Sequence, residues 1–260
     1  MVYFSVIFYT IVLLVLPIGV LLQQASSHLF ITFWDRATEP VALSAYSISL
    51  TLAFSACVIN TFFGFLVAWI LVRYKFTTRK LMDSIIDFPF YLPTSVAGFT
   101  LSMIYSENGW IGFFLDKMGI KVIFTKLGIL IAMIFVSFPF IVRSVQPVLY
   151  SIEKQLEEAA WSLGASPWLA FSKIILPSVL PSLFTGITLA FSRAIGEYGS
   201  IVIISSNFAL KDLITPVLIF QYLEQYDYVG ATVIGSVILL ISLFLFILVN
   251  LFQRCTLSVK

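Results

Sequence analysis

Two charged residues lie four positions apart in a long apolar stretch of this sequence. Arg193 and Glu197 are the only Asp, Glu, Lys or Arg residues between Ser178 and Ser206. Residues four apart share one face of a helix, and a charge at the centre of a membrane costs about 2.5–3.5 kcal/mol on insertion scales. The pair could be an internal ion pair that stiffens a helix bundle. It could instead line a pore in which Arg193 meets an anion, and the sequence leaves both interpretations open.

Two further charged residues, Asp87 and Arg143, also fall in apolar stretches. Arg143 lies toward one end of its stretch, where a long side chain can reach the membrane surface or donate to a backbone carbonyl. We expect one of these structural roles for Arg143. Asp87 follows shortly after a basic segment, and the sequence does not decide between local capping or pairing and a functional role.

A polar island interrupts the apolar sequence at residues 153–168. Good helix formers occupy the positions before Gly164, which stands where a left-handed residue would end a helix. Ser166 and Pro167 follow in the order expected of an N-cap and a first helical residue. The pattern predicts two short helices around a sharp corner, after which Pro177 and Pro181 should interrupt the next apolar run.

Other kinds of chemistry have little support in the sequence. The single histidine, His28, has no nearby ligand that would complete a metal site. Cys57 lies in an apolar run and Cys255 near the end of the chain, so we expect no disulfide. Neither G-x-x-x-x-G-K-[ST] nor G-x-S-x-G occurs, and no basic patch with interleaved aromatic residues suggests nucleic acid. We therefore expect no cofactor, no bound metal and no catalysis.

The composition indicates a membrane protein. Apolar residues make up 60% of the 260 residues and charged residues 11%, against roughly 25% charged in soluble domains, and the mean hydropathy is +1.04. A membrane helix needs about 20 mostly apolar residues. Six runs qualify, the first being a retained span rather than a cleaved signal, and they predict an all-α protein with a single membrane domain over residues 1–260. The predicted spans are Tyr3 to Leu22, Ile48 to Val72, Ser84 to Tyr105, Leu127 to Tyr150, Ser178 to Ser206 and Val229 to Phe252.

The distribution of basic residues predicts the orientation. Four of them follow the second span within eight residues, at Arg73, Lys75, Arg79 and Lys80, which places this segment on the cytoplasmic side or on the stromal side of a plastid membrane. Six spans then put both termini on that same side. Prolines break the third span, so we expect it to lie inside the bundle, where protein or water can satisfy the freed backbone groups.

The polar island resembles a known loop. Glu158, Ala159, Ala160 and Gly164, followed by Leu176-Pro177, match the "EAA" loop of ABC-transporter permease subunits. In that family the loop forms the cytoplasmic coupling helices that dock into a groove on the ATPase subunit. The resemblance implies the ABC importer permease fold with six transmembrane helices, and a coupling loop at residues 151–177. A solvated amphipathic loop between two membrane helices is the alternative interpretation.

From about Ser44 onward the chain is similar to the sulfate/thiosulfate branch of these permeases, of the T-subunit type. Molybdate and tungstate permeases share the loop and a segment like that around Arg193 and Glu197, and they remain the alternative within the class. The run Leu-Pro-Thr-Ser-Val-Ala-Gly and the turn Asn-Gly-Trp-Ile-Gly favour sulfate. Tyr91 departs from the pattern, where a small residue is expected. The segments that carry the resemblance are Asp87–Gly98, Asn108–Gly112, Phe138–Leu149 and Phe191–Gly199.

The resemblance implies a set of partners. This chain would form half of a heterodimeric pore with a second permease subunit, above two ATP-binding cassette ATPase subunits, with a sulfate-binding protein outside. ATP hydrolysis would belong to the ATPase subunits, so this chain would not be an enzyme. The expected location is a bacterial inner membrane or a plastid envelope, and the 26 Phe residues fit both lipid contact and the AT-rich genome of a plastid or a low-GC bacterium.

Two functions of other classes deserve comparison. An intramembrane enzyme would need a nucleophile with a base, or metal ligands, inside the spans, and one loop histidine does not supply them. A structural membrane scaffold would not need a docking loop for an ATPase. Co-purification with an ATPase subunit would separate transport from both.

Overall fold

The computed structural model describes residues 2–27 and 30–257, which lie outside any strand and fold almost entirely into helices. His28 falls outside the described residues. The elements are α1 (Val2–Thr10), a π-helical turn π1 (Ile11–Val15), α2 (Leu16–Ser27), α3 (Phe30–Ala37), α4 (Pro40–Arg73), α5 (Arg79–Ile86), α6 (Phe88–Tyr91), α7 (Thr94–Tyr105), α8 (Gly112–Lys117), α9 (Lys126–Ser151), α10 (Lys154–Ser162), α11 (Pro167–Ala170), a second π-helical turn π2 (Phe171–Ile175), α12 (Leu176–Ile195), α13 (Ile201–Ile204), α14 (Thr215–Glu224) and α15 (Tyr228–Leu257).

Five continuous helical segments among the described residues are long and apolar enough to cross a membrane. They are Tyr3–Ser26, Pro40–Arg73, Lys126–Ser151, Pro167–Ile195 and Tyr228–Leu251. The third of the six predicted spans is not continuous. It is divided into α5, α6 and α7, as its prolines predict. Pro89 lies in the first turn of α6 and Pro93 directly precedes α7, positions where a missing N–H costs nothing.

The fifth span differs from its predicted course. Helical structure begins at Pro167 rather than Ser178, and neither Pro177 nor Pro181 interrupts it, so that prediction was wrong. The carbonyl that the Pro177 ring would meet belongs to Lys173, in π2. The wider turn of a π-helix moves that carbonyl away and lets the helix continue.

By its internal contacts the chain divides into two units, which are described separately. The first comprises residues 1–49 and 207–244. Its buried Ser49 hydroxyl accepts a hydrogen bond from the Thr215 backbone N–H at 2.8 Å, fixing the start of α14. Arg36 pairs with Asp227 at 3.0 Å, and the Tyr222 hydroxyl donates to Glu39 at 2.9 Å. Burial and the neighbouring Glu39 carboxylate raise the pKa of Tyr222 to about 12.

The second unit comprises residues 50–206 and 245–260 and contains the loop and the charges of interest. In its core, the C-terminal half of α4 packs against α9 and α12. Gly64 and Gly186 allow close packing, since a Cβ on either would approach Ile141 or Ser144 within 3.0 Å. Asn60 donates to the Ser137 hydroxyl at 2.9 Å across this core. The buried residues at its centre include Leu71, Ile141, Val142, Val145, Leu149, Ile175, Val179 and Ala190.

Candidate coupling loop and buried charges

The loop between α9 and α12 has the corner that its sequence predicts. Gly164 ends α10 with φ +86°, and no atom lies within 4 Å of the position a Cβ would take there. Glycine is therefore needed for backbone conformation, not for space. The Ser166 hydroxyl accepts a hydrogen bond from the Leu169 N–H at 3.2 Å, with Pro167 at the first helical position of α11.

The first helix of the loop projects almost entirely from its unit. No residue of α10 is buried. Glu158, Ala159 and Gly164 are exposed and Ala160 is partly exposed, so all four residues of the motif are accessible to a partner. Apolar side chains of the loop are exposed as well: Leu163 is 89% exposed and Trp168 73%.

Leu176 and Pro177 lie elsewhere in the loop. They open α12 directly after π2, and both are partly buried next to Ile175, which is 1% exposed. The structure therefore does not bring them onto the surface formed by residues 158–164. They begin α12 within the continuous helical segment that starts at Pro167.

An ion pair that the sequence analysis missed links this loop to a membrane helix. Arg73, the last residue of α4, lies with its Nη2 atom 2.5 Å from Glu157 Oε1. The two side chains are only 9% and 14% exposed. The Arg73 guanidinium also lies 5.4 Å from the centre of the Trp69 ring. Glu157 directly precedes the recognised motif and Arg73 opens the basic segment, but nothing in the sequence pairs them.

Arg193 and Glu197 form a close ion pair at a different place from the one predicted. Arg193 Nη1 lies 2.6 Å from Glu197 Oε2. The prediction that both lie in the middle of one helix was wrong, because α12 ends at Ile195 and Glu197 follows its C-cap, Gly196. The chain then turns, and the buried carboxylate accepts hydrogen bonds from the Ser200 N–H at 3.0 Å and hydroxyl at 2.8 Å.

The two members of this pair differ in exposure. The Glu197 side chain is 1% exposed and that of Arg193 31%. Glu197 thus makes an ion pair with Arg193 and two hydrogen bonds with Ser200, whereas the Arg193 side chain stays partly exposed. The turn that follows α12 is tightly packed, since a Cβ on Gly199 would lie 2.2 Å from the Thr94 hydroxyl oxygen.

Arg143 binds carboxylates instead of snorkelling or binding only a carbonyl, so its expected role was too narrow. Its Nε and Nη2 donate to the two oxygens of Asp87 at 2.7 and 2.6 Å, a bidentate geometry that a guanidinium favours. The Nη2 group also donates to the Asp83 backbone carbonyl at 2.8 Å. Asp87 therefore pairs with a distant helix, not locally.

Asp83 and Gln146 complete this cluster, and the sequence analysis missed both. Arg143 Nη1 donates to Asp83 Oδ1 at 2.8 Å and to Gln146 Oε1 at 2.7 Å. Asp83 precedes the predicted third span. Partial burial alone would raise the pKa of its carboxyl, but the hydrogen bonds from Gln146 and Arg143 hold that pKa below its ordinary value. The cluster ties α5 and the start of α6 to α9.

Residues 60–256 match the family model described as "Binding-protein-dependent transport system inner membrane component". The chain belongs to this family. It is therefore a multi-pass permease of a binding-protein-dependent transport system, and its membrane helices are explained by that role.

Curated relatives of this permease carry a more specific name. It is 62% identical over 245 residues to the "Probable sulfate transport system permease protein cysT" of Mesostigma viride, covering 94% of this chain and 91% of the relative. It is 50% identical over 248 residues to the "Sulfate transport system permease protein CysT" of Synechocystis sp., covering 95% and 87%.

Solved structures support the permease fold. The chain matches a crystal structure of a bacterial alginate ABC transporter in complex with an alginate pentasaccharide-bound periplasmic protein, with a TM-score of 0.80 over 97% of this chain and 92% of the other. The sequence identity is 18%, so this likeness concerns the fold alone. The ABC importer permease fold implied by the sequence is confirmed.

Proposed function

We propose that this chain is the membrane-spanning permease subunit of an ATP-driven sulfate importer and forms half of its anion pathway. The observation that carries the proposal is the 62% and 50% identity, over at least 94% of this chain, to permeases named for sulfate transport. The alternative, molybdate or tungstate transport, is not favoured by these relatives.

ATP hydrolysis is assigned to a partner. The sequence has no G-x-x-x-x-G-K-[ST] phosphate-binding motif, and the family consists of membrane components that depend on a binding protein. The proposed partners are ATP-binding cassette ATPase subunits, a second permease subunit and a sulfate-binding protein, with lipid around the helices. The proposed location is a bacterial inner membrane or a plastid envelope, which is supported by relatives from Synechocystis sp. and from Chlorokybus atmophyticus.

The loop at residues 151–177 is proposed to dock the ATPase. Its exposed surface, formed by Glu158, Ala159, Ala160 and Gly164, offers one carboxylate on a low-relief backbone that a partner can approach closely. Leu176 and Pro177 contribute by beginning α12. A helix with nine residues and none buried gains little from its own unit, which fits a surface completed by another protein.

Arg193 is proposed as the side chain that meets the anion. Its partner Glu197 is almost fully buried and bonded to Ser200, so the carboxylate is committed to structure. The Arg193 side chain is partly exposed, and a guanidinium can donate to sulfate oxygens with the planar geometry that lysine lacks. The pair thus serves both structure and transport, with the positive end toward the pathway.

Reconstitution tests the proposed function. The chain would be assembled with its second permease subunit and ATPase in proteoliposomes, and uptake of radiolabelled sulfate measured with ATP and the sulfate-binding protein. We expect uptake to require both, and excess molybdate to leave it unchanged. Uptake of molybdate with no uptake of sulfate would assign the alternative substrate instead.

A further inference from the structure

The exposed coupling helix α10 is held to its own unit through very few side chains. Of its nine residues Glu157 and Ala160 are the most buried, while Trp161 is 48% exposed. Among the described residues, Glu157 is the one side chain of α10 that makes an ion pair. A force that reaches α10 from a partner can therefore pass to α4 through this ion pair, besides the backbone and the packing of α10 on α11.

The partner of Glu157 is well placed to receive such a force. Arg73 ends α4, a helix of 34 residues that is long enough to cross the membrane. Two residues earlier, Leu71 is 2% exposed in the core that α4 shares with α9 and α12. A displacement of Arg73 is therefore a displacement of the packed end of α4.

A cluster of aromatic rings joins the same end of α4 to the second half of the loop. Trp69 packs edge-on against Phe171 of π2, with ring centres 5.6 Å apart. Phe171 in turn stacks on Trp168 of α11 at 5.6 Å. Because Trp69 also lies beneath the Arg73 guanidinium, the ion pair and the rings form one continuous contact between α4 and both loop helices.

The ion pair itself is short of other partners. Arg73 Nε and Nη2 and Glu157 Oε1 are buried atoms that make no directed hydrogen bond within the described part of the chain. They line one side of a cavity of about 460 Å³, together with Trp161 and the charged residues Lys154 and Glu158. Because the Arg73 and Glu157 side chains are largely buried, a change in the position of Glu157 must draw Arg73 with it or leave a buried charge unpaired.

We infer that Arg73 and Glu157 are positioning residues that transmit movement of the coupling helix to α4. The inference rests on the proposed docking of an ATPase at residues 151–177. The pair does not contact sulfate or ATP. It makes α10 and α4 move as one body, so that closure of the ATPase subunits displaces a membrane helix.

The test separates ATP hydrolysis from transport in the assembled complex. Arg73→Leu/Glu157→Leu removes both charges and avoids a stranded one. Per assembled complex, we expect sulfate uptake to fall about tenfold or more, within the usual range of coupling energies, while basal ATP hydrolysis persists and loses its stimulation by the loaded binding protein. The exchanged pair Arg73→Glu/Glu157→Arg should regain a substantial part of that stimulation.

Lys75→Gln provides a matched control, because it removes an exposed charge of the same sign two positions along and should leave uptake and hydrolysis unchanged. Wild-type uptake and stimulation per complex in the double leucine variant would overturn the inference. A parallel loss of uptake, hydrolysis and assembled complex, with no recovery in the exchanged pair, would also overturn it, since that is the result of a purely stabilising pair. If the unmodified complex shows no sulfate-stimulated hydrolysis at all, the proposed function fails instead.

Discussion

At the scale of single residues, the Arg193–Glu197 pair allows structure and transport to be separated. Glu197→Gln keeps an oxygen that can accept from Ser200 while removing the charge. Arg193→Leu alone should strand a buried carboxylate and cost about 3–5 kcal/mol, lowering the amount of assembled complex. In Arg193→Leu/Glu197→Gln we expect assembly to recover but sulfate uptake to stay at least about tenfold low, since a charged hydrogen bond is worth about 1.5–3 kcal/mol.

The measurement is uptake per assembled complex, with Arg193→Lys beside it. Lysine keeps the charge without the planar fork, so we expect intermediate uptake. Robust sulfate uptake by the double variant would show that the pair is structural only and that the anion passes elsewhere.

Arg143 is a second partly buried cation that carboxylates hold in place. Asp83, Asp87 and Gln146 surround it, so Arg143→Leu leaves Asp87 without its bidentate donor and removes one of two donors to Asp83, the other being Gln146. The side chains are about one-third exposed, and we expect a loss of about 2–3 kcal/mol, seen as a lower midpoint in thermal unfolding in detergent. Asp83→Asn should cost less, because the bidentate Asp87 contact remains. Equal stability of the Arg143→Leu variant would show that the cluster contributes nothing measurable.

At the scale of elements, the corner in the proposed coupling loop at residues 151–177 is the part that the sequence predicts well. Gly164, Ser166 and Pro167 act on their nearest neighbours, so their types and order determine the corner. Pro177 was misread because the compensating π-turn has no sequence signature that the pattern rules recognise. Arg143 with Asp87 and Arg73 with Glu157 depend on which helices pack together. No local pattern encodes such pairings, and residues were found there that the sequence analysis had not singled out.

The loop also carries a prediction of its own. Glu158→Lys reverses the one charge on the exposed surface, and Gly164→Trp adds bulk while forcing a side chain into a left-handed conformation, which costs about 1–2 kcal/mol. We expect both variants to insert into the membrane yet abolish ATP-dependent uptake and co-purification with the ATPase. Glu224→Lys, an equal charge change at another exposed acid, serves as the control. Normal uptake by both loop variants would remove residues 158–164 from the docking surface.

At the scale of the whole molecule, the described membrane helices have both exposed and buried apolar surfaces, as the composition predicts. In the first span, Tyr3–Ser26, none of the most apolar 18 residues is buried. In Lys126–Ser151, 56% of the corresponding stretch is buried. Lipid and further subunits are the available cover for the exposed apolar residues. A permease that forms only half of a pathway is expected to leave such surface open, because its counterpart supplies the opposing wall.

The orientation of the chain in the membrane follows from the basic segment between α4 and α5 and can be measured directly. Single cysteines would replace Thr78 and Ala165 on the predicted cytoplasmic side, and Lys117 and Lys211 on the outer side. The background would lack Cys57, which is buried, and Cys255. The permease alone would be labelled, so that no ATPase covers the loop.

A thiol reagent that does not cross the membrane should then label Lys117→Cys and Lys211→Cys in intact cells or right-side-out vesicles. Thr78→Cys and Ala165→Cys should react only after permeabilisation or in inverted vesicles. The physical reason is the preference of Arg and Lys for the cytoplasmic side, reinforced here by four such residues within eight positions. The reverse pattern would place the coupling loop outside, where no ATPase can reach it, and would end the assignment of residues 151–177 to ATPase docking.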